Sequence, residues 1–100
     1  MSEIEENIEL CRQAVEENPG DVDALNFLGI AYWATEQYGD AIEVFTMIVE
    51  IDPDLAGAWY NLGCVYKNTG QTDKVNVVHG RLKNLDEELA DDFFKTVMKR

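Results

Sequence analysis

His79 is the single histidine of the chain, and Cys11 and Cys64 are its two thiols. A histidine can act as general base or metal ligand, and a thiol can act as a nucleophile once it loses its proton. Neither has the company such chemistry requires. The sequence contains no His-x3-His, His-Glu-x-x-His or Cys-x-x-Cys arrangement, the spacings that bring ligands onto one metal. Acid pairs are plentiful, among them Glu5-Glu6, Glu16-Glu17 and Asp91-Asp92. Neighbouring side chains on a helix point about 100° apart, so such pairs make a solvated face rather than a proton-sharing dyad. Gly29 and Gly63 sit inside helical patterns and belong to no phosphate-cradling loop. His79 reads as a packed or partly exposed helix residue, and Cys64 has no activating base or helix N-terminus beside it in sequence. No catalytic residue, metal or cofactor is assigned, and the chain reads as non-enzymatic.

Charge and composition narrow the remaining classes. The 100 residues carry a net charge of −12 and fit one domain. Residues 1–50 hold twelve acids and a single base, Arg12, whereas residues 51–100 hold eight acids and seven bases. This sign argues against binding nucleic-acid phosphates, which takes clustered Lys and Arg. The acidity has two readings: solubility, including adaptation to salt, or steering of a basic partner. No apolar run approaches the ~18 residues of a membrane span. The acidic N-terminus lacks the features of a signal peptide. Two unpaired thiols suit a reducing compartment, and the expected location is the cytoplasm.

The elements that would position any site come from a repeated frame. Trp59-x2-Leu62-Gly63-x2-Tyr66 recurs 34 residues earlier as Leu25-x2-Leu28-Gly29-x2-Tyr32, and a fixed period of that size marks a stacked repeat protein. Pro19 and Pro53 keep the same interval, and Asp86-Glu87 continues it without the proline. Pro cannot continue a helix and restricts the residue before it, so the frame breaks the chain there. Between the breaks, helices are expected at 3–17, 22–35, 39–52, 56–69, 72–85 and 87–99. Ile4, Ile8, Cys11 and Val15 line one face of the first. Asp21 and Asp86 are N-cap residues, and Gly70 is a natural terminator after Thr69. The fifth helix is expected to be the weakest, because Gly80 lies inside it at a cost of ~1 kcal/mol. In the last helix, Leu89-Phe93-Val97 and Ala90-Phe94-Met98 form two adjacent apolar stripes.

The residue pattern, the turn proline and the period together resemble the tetratricopeptide repeat (TPR) family, over nearly the whole chain. The resemblance implies an all-α fold of helix–turn–helix repeats stacked in a right-handed superhelix. About six helices are expected: a half repeat at 3–19, repeats at 22–55 and 56–87, and a C-terminal capping helix at 87–99. The second repeat departs from the pattern at Val75, where the family prefers Ala, and at His79, where Phe45 stands in the first. The resemblance also implies a protein-interaction module with a concave groove lined by the first helix of each pair. On that geometry the groove residues are Asn26, Ile30 and Trp33, then Tyr60, Asn61, Cys64 and Lys67, then Phe94 and Met98. A carboxylate clamp, as some members have, is not expected. Asn61 matches one of its positions, but Asn26, Asp91 and Ile30 do not supply the others.

A mostly apolar, aromatic groove suits a peptide or helix of a partner protein, one that is basic or amphipathic. Trp33 and Phe94 could instead simply pack on neighbouring helices. The alternative function is self-association, a homodimer through the stripes of the last helix.

Overall fold

The computed structural model describes residues 2–99. Among these residues there are six α-helices and no strand: α1 (Glu3–Glu17), α2 (Val22–Ala34), α3 (Tyr38–Ile51), α4 (Ala56–Asn68), α5 (Thr72–Leu85) and α6 (Glu87–Phe93). Each begins and ends within a residue of the span that spacing predicts, apart from the last. There α6 widens into a π-helical turn at Phe94–Met98, whose end is marked by the Lys99 N–H donating to the Phe94 carbonyl at 2.8 Å.

The helix ends show why the sequence folds this way locally. Ser2, Asp21 and Asp86 accept from the N–H of Glu5, Ala24 and Leu89, satisfying donors that a helix start leaves unpaired. The turn between α2 and α3 is repeated between α4 and α5. Thr35 donates to the Ala31 carbonyl at 2.9 Å and accepts from the Gln37 amide at 2.7 Å. Thr69 and Gln71 make the same pair of bonds, at 3.3 Å to the Val65 carbonyl and 2.7 Å. The residue between them takes positive φ in both turns: Gly70 at 73° and Glu36 at 61°. Glycine occupies that region freely, whereas glutamate pays a steric penalty.

Consecutive helices pack on each other, α2 most extensively on α3 and α4 on α5. The core falls into two clusters. One holds Ile8, Leu25, Leu28, Phe45, Ile48, Leu62 and Val65, and the other Val75, Val78, Leu82, Ala90, Phe93 and Val97. Trp59 and Tyr66 pack against both and join them.

Each cluster is centred on a ring over a glycine. A Cβ on Gly29 would come within 2.7 Å of the Phe45 ring, so the space that Gly29 leaves is filled by that ring. The equivalent position in the second pair is Gly63, but its counterpart of Phe45 is His79. There the ring comes from the next helix: a Cβ on Gly63 would lie 2.5 Å from Phe93 and 2.8 Å from Val78. His79 stacks on Phe93, with ring centroids 6.4 Å apart and planes 17° apart. Phe93 is thus fully buried, and this fixes how α6 is turned. Ala90, Phe93 and Val97 are buried and Leu89 and Met98 partly so, while Phe94 is 46% exposed. Of the six residues in the two expected stripes, only Phe94 is exposed.

Candidate interaction face

Three helices, α2, α4 and α6 with its π-helical turn, carry the expected groove residues. Two side-chain hydrogen bonds tie them together. Trp33 on α2 donates its indole N–H to Asn68 Oδ1 on α4 at 2.8 Å. Tyr60 on α4 donates its hydroxyl to Asp92 Oδ2 on α6 at 2.6 Å, and its ring meets Phe93 edge-on at 5.2 Å. Trp33, Cys64, Lys67, Asn68, Thr96 and Val97 line an open cleft of about 260 Å³ where these elements converge.

Three of the nine expected residues, Trp33, Cys64 and Lys67, meet in that cleft. Tyr60 lies one turn before Cys64 on α4, against the last helix. Met98 shares a separate hollow of about 150 Å³ with Lys67, Val75 and Asn76, beyond the end of α4. Asn26 and Asn61 are partly buried, and Ile30 is 45% exposed. Phe94 is placed elsewhere. It lies 5.9 Å from His79 and lines a hollow of about 340 Å³ with Lys83, Glu87 and Asp91, on the α5 side of the last helix. The seating of Phe93 over Gly63 turns Asp92 and Thr96, rather than Asp91 and Phe94, toward α4.

The sequence reading missed Asn68, Asp92 and Thr96, which the cleft and the Tyr60 bond include, and it missed Phe27. Phe27 is 47% exposed on α2. It stands 34 residues before Asn61, so the same period that singled out Asn61 also points to Phe27. Asp23, Phe27, Ile30 and Ala34 are the exposed stripe of α2. Asn26 and Trp33 lie beside it, and the Trp33–Asn68 bond puts that side next to α4.

Burial pushes the Cys64 thiol up to about 11, with the Asp92 carboxylate adding to the effect. Burial and the bond to Asp92 push Tyr60 up to about 12, with Thr96 acting in the opposite sense. Both groups stay protonated at neutral pH, so neither is a ready nucleophile. Among the described residues no three His, Cys, Asp or Glu side chains come together to hold a metal, and no helix is long and apolar enough to cross a membrane.

Comparison with known proteins agrees with this architecture. The tetratricopeptide repeat family model matches residues 3–62, and a second tetratricopeptide repeat model matches residues 56–74. The chain is similar to interferon-induced protein with tetratricopeptide repeats 2 of Cricetulus griseus, 29% identical over 95 residues, which is 95% of this chain and 19% of that protein. It is also similar to the peptidyl-prolyl cis-trans isomerase PASTICCINO1 of Arabidopsis thaliana, 38% identical over 52 residues, 52% of this chain and 8% of that protein. The chain therefore spans less than a fifth of the length of either relative. With a family match over more than half of its residues and helices packed in consecutive pairs, the chain belongs to the tetratricopeptide repeat family, whose repeats serve as protein–protein interaction modules.

Proposed function

We propose that the chain holds a peptide or helix of a partner protein, without catalysis, on the face formed by α2, α4 and α6. It is read as a half repeat at 3–19, repeats at 22–55 and 56–87, and a cap at 87–99, with the first helices of the pairs lining the groove. The observation that carries this reading is the pair of bonds Trp33–Asn68 and Tyr60–Asp92, which hold three helices side by side around an open cleft. Pre-organised side chains lose little entropy when a ligand arrives. Clustered exposed apolar groups such as Phe27 and Ile30 mark contact surfaces. The free thiols Cys11 and Cys64 suit the reducing cytoplasm as its setting.

The test is to select peptides against the full chain from a display library and measure their binding to Trp33→Ala, Tyr60→Ala and Asn61→Ala. Losses of about tenfold, the scale of an interface anchor, are expected while circular dichroism stays helical. Undiminished affinity in all three folded variants refutes the groove.

A second reading is favoured by one observation, the exposed Phe94 ring beside His79. Two copies meeting there would form a homodimer. Light scattering over a range of concentrations decides it: a dimer that dissociates on Phe94→Asp supports this reading, and a monomer throughout excludes it.

A further inference from the structure

Helix α2 packs against both α1 and α3. Its sequence, Val-Asp-Ala-Leu-Asn-Phe-Leu-Gly-Ile-Ala-Tyr-Trp-Ala over residues 22–34, carries apolar residues on every side, with Asp23 and Asn26 its only charged or amide side chains. Such a helix is normally enclosed. Yet Phe27 and Ile30 are 47% and 45% exposed, one turn apart on the stripe that begins at Asp23. The equivalent stripe of α4 is Gly57, Asn61, Cys64 and Asn68, which is smaller and more polar. Of these two helices, α2 alone carries an apolar ridge.

The ridge lies in the acidic half of the molecule. Of the twelve acids in residues 1–50, every one but Asp21 is exposed, including all six on α1, the helix packed beside α2. Arg12 is the one base in that half. A partner that covers the ridge approaches this acidic half, whose charge favours a basic one. The ridge itself supplies carbon, with Asp23 as its one polar member. It offers no amide to the backbone of an extended peptide. A helix satisfies its own backbone bonds and can lay apolar residues along the ridge at i, i+3, i+4 and i+7.

We propose that the Asp23–Phe27–Ile30–Ala34 ridge of α2 is the docking surface for a basic amphipathic helix of a partner protein. Its apolar face covers Phe27 and Ile30, and its Lys and Arg residues face the surrounding acids. This rests on the groove reading and names the chemistry of the ligand.

The test is calorimetric titration of the full chain with three capped peptides of roughly 18 residues, or five helical turns. The first places leucines on one helix face and lysines on the other. The second replaces each lysine by glutamate, and the third scrambles the first. The lysine peptide is expected to bind at least about tenfold tighter than the other two, and more weakly as salt shortens the Debye length from ~10 Å at 0.1 M to ~3 Å at 1 M. Phe27→Asn, which installs the residue of the next repeat, and Ile30→Ser are each expected to weaken it about tenfold, the scale of an interface anchor. Equal binding of the scrambled peptide, no response to these substitutions, or no binding by any peptide overturns the proposal. If the glutamate peptide binds best, or only Asn61→Ala weakens the lysine peptide, the proposal fails while the groove stands. If binding responds to none of these three substitutions and to neither Trp33→Ala nor Tyr60→Ala, the groove reading fails with it.

Discussion

Glu36 and Gly70 occupy the same place in two otherwise identical turns, and both take positive φ. Left-handed backbone costs a residue with a Cβ about 1–2 kcal/mol. Glu36→Gly is therefore expected to stabilise the protein by about 1 kcal/mol in urea unfolding, the residual after glycine's extra unfolded-state entropy. The helical glycines divide by what surrounds them. A Cβ on Gly80 meets nothing within 4 Å, so Gly80→Ala should stabilise by ~0.5–1 kcal/mol through helix propensity alone. A Cβ on Gly29 would strike the buried Phe45 ring, and Gly29→Ala should destabilise by ~1–3 kcal/mol through overpacking. Equal shifts for the two alanines would show that the ring over Gly29 yields freely. Cys64 has its folded pKa raised from 9.0 to about 11. Its neutral thiol contributes stability that is whole below pH 9.0 and is lost as pH rises through about 11. Between pH 7 and 8.5 its thiolate fraction lies well below that of a free thiol, and maleimide labelling of Cys64 should be at least about tenfold slower in the folded chain than in the unfolded one. Labelling at the free-thiol rate would contradict the burial of Cys64.

At the scale of the element, Phe93 holds the last helix. It supplies the ring over Gly63 that His79 does not, and it is fully buried. Phe93→Ala removes that ring and is expected to cost ~3–5 kcal/mol, a large part of the ~5–15 kcal/mol that holds a domain folded. Hydrogen exchange should show α5 and α6 losing protection together, since both contribute to the cluster around Phe93. Loss confined to α6 would mean that Phe93 anchors only its own helix. The periodicity made every helix legible, because apolar residues recur at 3.6-residue spacing between clear breaks. It did not show how α6 is turned. Phe93 and Phe94 are equally apolar in sequence, and only the vacancy over Gly63 distinguishes them. That one choice brought Asp92 and Thr96 to α4 and sent Phe94 to the other side.

At the scale of the molecule, charge is the property least absorbed by the fold. A net charge of −12 on a body 37 × 25 × 19 Å in extent repels itself, and that repulsion weakens the compact state. Thermal unfolding in sodium chloride should therefore shift upward by a few degrees between ~0.01 M, where the Debye length is ~30 Å, and ~0.15 M, where it is ~8 Å. A constant or falling midpoint would indicate that the acids are locally compensated. The repeat period, the helices, their caps and the uneven charge were all determined by the sequence, because each depends on residues near one another along the chain. The 34-residue spacing that equates α2 with α4 also pointed to Trp33, Cys64 and Lys67, three of the six residues that line the cleft. The tertiary structure decided which ring covers Gly63, which side of the last helix meets α4, and that Phe27 stays half exposed on a helix apolar all round. Those outcomes depend on which surfaces neighbouring helices leave uncovered, and a one-dimensional pattern does not carry that information.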